Sequence, residues 1–284
     1  MPDAPTAIRA TALSHYYGRR VGVDSIDLEL ALGTVFGFLG PNGSGKTTTI
    51  RLLLGFLRPS GGSAEVFGLD CWRDSHRIKR EVGYLPSDLR LYSWMTGESA
   101  LRVVGRIRGR DLSAAGRAIA ERFELEMDVS VRAMSRGMRQ KLGIVLALAH
   151  DPQLLVLDEP TSGLDPLMQD ELARTLRGLA ERGRAVFLSS HTLSEVETVC
   201  DRVAIVRRGR IVADETLEAL RGRARRSVTI DFRDAESAAR ATPPAMLAVR
   251  ERSAARWTGE LDGRIPEFIA WLAAQPVEDL VLGP

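Results

Sequence analysis

Cysteine is almost missing from this 284-residue chain: Cys71 and Cys200 are the only two, and neither sits in a CxxC pair or a Cys/His cluster. A disulfide framework and a cysteine-ligated zinc site are both poorly supported, and a reducing cytoplasm is the compartment that fits. An excess of one charge is missing too. With 39 basic and 37 acidic residues the formal net charge is only +2, which removes the electrostatic argument for a nucleic-acid partner. No apolar run approaches the ~18 residues that would cross a bilayer, and the first fourteen residues hold no apolar core of signal-peptide length. Any action at a membrane then goes through a partner chain. Lysine is scarce, found only at positions 46, 79 and 141, while arginine clusters at 207–210 and 221–226 read as a solvated rim or linker.

One of the three lysines lies in a run that carries chemistry: Gly40, Pro41, Asn42, Gly43, Ser44, Gly45, Lys46, Thr47 and Thr48. This fits G-x-x-x-x-G-K-[ST], the P-loop. Glycines let successive backbone N–H groups converge on the α and β phosphates of a nucleotide, and the helix that follows points its positive end at them. Lys46 reaches the β and γ phosphates in such a loop, and the Thr47 hydroxyl binds Mg²⁺. The context agrees, with an apolar strand over 35–39 entering the loop and an apolar helix over 47–54 leaving it. By composition the pattern arises by accident on the order of once in a hundred chains of this length, and the scarcity of lysine lowers that further.

At 284 residues and 44% hydrophobic, the chain is long enough for one large domain and one small one. Short strand patterns fill 8–13, 26–30, 35–39 and 64–67, giving a β-rich entry. From 89 to 149 the period turns helical, with helices predicted over 98–108, 113–123 and 138–150. Strand and helix then alternate from 154 to 213, which argues a mainly parallel sheet covered on both faces. Arg221 to Arg226 reads as a boundary, and 228–282 suggest β-α-β-β-α-β, a ferredoxin-like order. The expected layout is a domain over 1–220 with a helical subdomain at about 88–150, a linker at 221–226 and a small C-terminal α+β domain over 227–284.

A second constellation follows the P-loop. Leu154 to Leu157 is an apolar strand that ends in Asp158 and Glu159. Asp158 would hold the Mg²⁺ shell and Glu159 would orient or deprotonate an attacking water. Acidic residues are common after strands, so the pair gains its meaning from the P-loop upstream.

Met134-Ser-Arg-Gly-Met-Arg-Gln-Lys141 lies between these two motifs, Thr161-Ser-Gly-Leu-Asp-Pro166 follows the second, and Ser189-Ser-His191 follows a later strand. In this order the chain resembles the ATP-binding cassette (ABC) ATPases over residues 7 to about 220. Gly83-Tyr-Leu-Pro86, Leu91-Tyr92 before Met95-Thr96-Gly97, and the Met-Arg-Gln-Lys stretch are similar to nucleotide-binding subunits of bacterial drug and antibiotic exporters. The resemblance implies an α/β P-loop NTPase fold with an antiparallel β subdomain and a helical subdomain. It implies ATP and Mg²⁺, and a homodimer in which each ATP lies between the P-loop of one copy and Ser135 and Gly137 of the other. It further implies a separate integral membrane permease and a place on the cytoplasmic face of the membrane. Tyr17 would stack on adenine, although Tyr16 beside it could face the ring instead. His191 would touch the γ phosphate, and Asp165 would organise the subunit interface while also starting a helix before Pro166. Ser135 is equally a helix N-cap.

Two departures stand out. Arg136 and Met138 replace the family's usual Gly and Gln in the signature, and Ser87 replaces a metal-contacting Gln, so it would reach Mg²⁺ only through water. The rival readings are an importer ATPase, a soluble cassette protein acting on ribosomes or DNA, and a module that holds ATP without cleaving it. The exporter-like stretch, the single cassette without coiled-coil arms, and Glu159 argue against them in turn. Leu89, Leu91, Tyr92, Trp94 and Met95 form an apolar cluster that either grips a partner helix or fills the helical subdomain.

Overall fold

The computed structural model describes residues 5–223, 226–262 and 265–283. The chain forms two compact units, Met1–Glu215 and Thr216–Pro284. The first opens with β1 (Thr6–Tyr17), β2 (Arg20–Ala31), β3 (Val35–Leu39), α1 (Lys46–Leu53), β4 (Gly61–Val66) and β5 (Leu69–Asp70). It continues through α2 (Ser75–Glu81), β6 (Val82–Leu85), α3 (Gly97–Arg108), α4 (Ser113–Arg122) and α5 (Arg136–Leu148). It closes with β7 (Leu154–Asp158), α6 (Pro166–Glu181), β8 (Ala185–Ser190), α7 (Leu193–Val199), β9 (Arg202–Arg207) and β10 (Arg210–Thr216).

Two sheets divide this unit. One has the order β10-β9-β3-β8-β7-β6, with β9, β3, β8, β7 and β6 running parallel. Its strands β3, β7 and β8 are buried along their whole length, as their unbroken apolar runs require when helices cover both faces. Phe36 and Phe38 pack on Phe187 with centroids 5.8 and 5.5 Å apart. The other sheet, β2-β1-β4-β5, is antiparallel and buries one face. Parallel order places the ends of β3, β8 and β7 side by side, so the three loops that leave them meet at one edge.

The β1–β2 hairpin extends well beyond the expected 8–13 and 26–30. Apart from Gly22 and the buried Val23, residues 14–17 and 20–25 are polar or exposed, and the ladder is interrupted by register shifts with positive φ at Ala12 and Ser25. Helix α2 has no counterpart in the sequence reading, since Ile78 is its only buried residue. Helices α3, α4 and α5 form a subdomain around Leu101, Leu112, Leu125, Leu142 and Val145. The apolar cluster before α3 splits. Met95 and Leu91 join this core, whereas Tyr92 and Trp94 stack on each other at 5.8 Å and are 71% and 70% exposed.

The second unit begins with α8 (Leu217–Arg223), so the stretch read as a linker is helical as far as residue 223, and residues 224 and 225 lie outside the described residues. Next come β11 (Arg226–Phe232), α9 (Ala235–Arg240), β12 (Leu247–Arg252), β13 (Arg256–Leu261), α10 (Ile265–Ala273) and β14 (Val277–Gly283). The sheet order is β12-β13-β11-β14, antiparallel throughout. Phe232, Trp257 and Phe268 are buried at its centre. No helix among the described residues is long and apolar enough to cross a membrane.

Candidate nucleotide site

The loop between β3 and α1 is built to leave donors free. Gly45 takes φ 114°, a left-handed angle that L side chains avoid, and a Cβ there would meet the Gly22 carbonyl at 2.8 Å. Helix α1 therefore starts with no side-chain cap and no acidic residue in its first turn. Its first N–H groups and dipole have no anionic partner within the element. Ser44 adds a buried hydroxyl with no hydrogen-bond partner. Both observations suit a phosphate-bearing ligand.

Lys46 is buried, and its Nζ donates to the carbonyls of Gly40 at 2.7 Å and Pro41 at 3.4 Å. The same Nζ lies 3.4 Å from Glu159 Oε1, and His191 Nδ1 approaches that oxygen at 3.4 Å. Thr47 Oγ1 donates to Asp158 Oδ2 at 2.9 Å, while Ser189 Oγ donates to Asp158 Oδ1. A hydroxyl and a carboxylate at this spacing form a donor set of oxygen atoms suited to Mg²⁺. Thr47 and Asp158, 111 positions apart, thus meet because β3 and β7 flank β8 in the sheet.

Glu159 itself sits at φ 54°, left-handed for a residue with a side chain. Bonds to Glu159 and its neighbour Pro160 fix it there, among them one from the Ser162 N–H to the Glu159 carbonyl at 3.3 Å. The Glu159 N–H donates to the Ser189 carbonyl at 3.1 Å, and Gln140 Nε2 donates to the carbonyls of Glu159 at 3.3 Å and Pro160 at 2.8 Å. Tyr84 on the neighbouring strand has its phenol pushed up to about 12, by burial first and by Asp158 second.

Beside the loop lies an open cleft of about 390 Å³ lined by Tyr17, Asn42, Gly43, Lys46, Thr48 and Glu159, together with Arg20 and Arg51. The two neighbouring tyrosines differ here, and Tyr17 is the one that lines the cleft. Tyr16 turns away to donate to Asp24 Oδ1 at 3.0 Å, whereas the Tyr17 hydroxyl lies 3.5 Å from Thr48 Oγ1 and its ring meets His15 edge-on at 4.7 Å.

The remaining expected site residues lie outside this cleft: Ser87, Ser135, Gly137 and Asp165 do not line it. Ser87 is exposed just after β6. Ser135 caps α5, accepting from the Met138 N–H at 3.1 Å, and Asp165 caps α6, accepting from the Met168 N–H at 3.0 Å with Pro166 behind it. A Cβ on Gly137 would stand 2.6 Å from the Gly163 carbonyl, so only glycine fits. Arg136, a departure from the usual signature, donates to Ser162 Oγ at 2.6 Å. It ties the start of α5 to the loop before α6.

Sequence reasoning did not single out Gln140, Ser189 or Arg136 as contacts. Each falls inside a quoted motif, but their bonds cross from one motif to another, which spacing along the chain does not reveal. Both thiols are free and buried, with Cys71 pushed up to about 12 and Cys200 higher still by burial, so neither is a reactive thiolate.

A P-loop with a bare helix behind it, facing an Asp-Glu pair at the end of a parallel strand, defines a nucleotide-binding site of the P-loop NTPase class. Comparison with known proteins agrees. The ABC transporter family matches residues 23–162. The bacitracin transport ATP-binding protein of Bacillus licheniformis is 37% identical over 236 residues, 82% of this chain and 77% of that protein. The daunorubicin/doxorubicin resistance ATP-binding protein of Streptomyces peucetius is 35% identical over 248 residues, 85% of this chain and 75% of that one. Among solved structures, an ATP-binding subunit of an ABC transporter is 29% identical with a TM-score of 0.71, covering 76% of this chain and 92% of its own. The chain belongs to the ABC transporter family, as an ATP-binding subunit.

Proposed function

We propose that this ATPase powers a membrane exporter of drugs, antibiotics or lipid-like compounds, working as a homodimer attached to the cytoplasmic face of the membrane through a separate permease. The export direction and cargo class rest on the two relatives, one named for bacitracin transport and one for daunorubicin/doxorubicin resistance. Pairing of two copies is supported by the position of Ser135 and Gly137, which face no nucleotide cleft of their own chain. Tyr92 and Trp94, exposed at the entry to the helical subdomain, suit a helix of the permease.

The observation that carries the hydrolytic reading is the Glu159 carboxylate, poised between Lys46 and His191 at 3.4 Å from each. A triphosphate drawn to Lys46 competes for that ammonium and releases Glu159 to act on water, with His191 beside it. Tyr17 stacks on the base, and the bare N–H groups of the loop take the phosphate oxygens. Thr47 and Asp158 would hold Mg²⁺, with Ser87 reaching it only through water, and the ion supplies charge neutralisation on the phosphates. Replacing Glu159 with Gln tests the assignment: steady-state phosphate release stops while nucleotide binding and nucleotide-dependent pairing persist. Undiminished turnover would remove Glu159 as the base.

A further inference from the structure

A second cleft, of about 770 Å³, lies between α2, the α3–α4 turn and the end of α5, lined by Lys79, Arg80, Arg106, Arg108, Arg110 and His150, with His76 at its edge and Glu81 as its one carboxylate. It opens at the starting end of β6. Arg108 donates there to the carbonyls of Arg80 and Val82, each at 2.9 Å. The nucleotide loops leave the opposite ends of the parallel strands, so this cleft takes no part in the site above.

Two arginines elsewhere on the same subdomain pair with carboxylates, Arg117 with Glu98 and Arg122 with Glu171, while Arg139 turns to the Met134 carbonyl and Arg136 to Ser162 Oγ. In the cleft the one carboxylate, Glu81, acts on Arg108 through its field and forms no ion pair among the described residues. Arg80 and Arg106 have no acidic partner among the described residues, and the Arg110 guanidinium reaches only the His150 carbonyl at 3.5 Å. His150 is the unusual member. It is buried, its Nε2 lies 3.3 Å from the Val82 carbonyl, and its Nδ1 has no partner. A carbonyl can only accept, so Nε2 carries the proton and Nδ1 is a bare, buried lone pair. Burial first, then Arg108 and Arg110, depress this imidazole to about 4 against the pull of Val82 and Asp151.

We infer that this cleft binds a phosphate-bearing anion, chemistry shared by a phospholipid headgroup and free phosphate. Unpaired guanidiniums supply the forked donors that phosphate oxygens match. An anion among them offsets the field of Arg108 and Arg110, so His150 Nδ1 can take up a proton and donate in turn. Ile107 lines the same cleft and is 80% exposed. An exposed aliphatic side chain beside a basic cluster is the pattern of a membrane-facing surface, which favours the headgroup.

His150 is the reporter. In the full chain, its imidazole is titrated by NMR alone, with inorganic phosphate, and with soluble dihexanoyl phosphatidylglycerol or phosphatidylcholine. The expected result is a rise in the His150 pKa of about 1–2 units with phosphatidylglycerol, smaller with inorganic phosphate and absent with phosphatidylcholine. The Arg106→Ala/Arg110→Ala pair abolishes it and weakens binding to phosphatidylglycerol vesicles by about thirtyfold. Arg132→Ala/Arg182→Ala, which removes equal charge from other surfaces, leaves both unchanged. A response to inorganic phosphate alone supports the site and assigns it to the free anion. No response to either anion, or one that survives Arg106→Ala/Arg110→Ala, overturns the inference.

Discussion

Gln140, on the helix capped by Ser135, donates to the Pro160 carbonyl at 2.8 Å and to the Glu159 carbonyl at 3.3 Å. One buried amide thus holds the backbone of the carboxylate that faces Lys46. Because α5 also carries the signature residues, a displacement of that helix is felt directly at Glu159.

Replacing Gln140 with Ala should uncouple the two. The buried Pro160 carbonyl loses its donor, at a cost of about 1–3 kcal/mol, while the Glu159 carbonyl keeps the Ser162 N–H at 3.3 Å but loses a restraint on its left-handed backbone. The expected outcome is a kcat lower by about tenfold with the KM for ATP within about twofold. Steady-state kinetics reads the split, and an equal rise in KM would show that Gln140 serves binding instead.

Tyr17 and Tyr16 should separate cleanly. Tyr17→Ala removes the ring beside Thr48 and weakens ATP binding by about tenfold, the scale of a base–aromatic stack. Tyr16→Phe loses only the bond to Asp24 and leaves affinity unchanged. Fluorescent-nucleotide titration of both variants decides between them.

Lys46→Ala leaves Glu159 without its ammonium and the phosphates without their principal cation. Nucleotide affinity should fall by at least about tenfold. Isothermal titration with a non-hydrolysable analogue measures it apart from turnover, and unchanged affinity would count against the loop assignment.

Stability should carry a signature of His150. Its folded pKa, about 4, lies below the ordinary 6.5, so the unfolded chain takes up the proton first as pH falls. The contribution is complete above 6.5 and is lost as pH drops from there towards 4. Melting temperature followed across that window should decline, and His150→Gln should flatten the decline; an identical slope in the variant would assign the acid sensitivity elsewhere.

The sequence is most informative where one chemical demand fixes several neighbouring residues. Gly43, Gly45, Lys46 and Thr47 are readable because loop, charge and hydroxyl are consecutive, and Asp158 and Glu159 because they end an apolar run. Strands β3, β7 and β8 are legible for the same reason, being unbroken apolar segments. Helix α2 is not, with a single buried side chain, and neither are the polar halves of β1 and β2, whose pairing rests on backbone bonds. Ser189 to Asp158, Gln140 to Pro160 and Arg136 to Ser162 are contacts between motifs. Only the folded order of strands brings them together. Tyr17 and Tyr16 differ by one position in a twisted hairpin, and which ring faces the loop depends on the register that the turn at Gly18 sets.

The bare beginning of α1 makes the robustness of the folded chain conditional on its surroundings. With no carboxylate or hydroxyl of its own to quiet those N–H groups, the first unit stays incomplete until something negatively charged arrives. A triphosphate that holds those N–H groups in the folded chain and not in the unfolded one adds to stability by mass action, a structural brace as well as fuel.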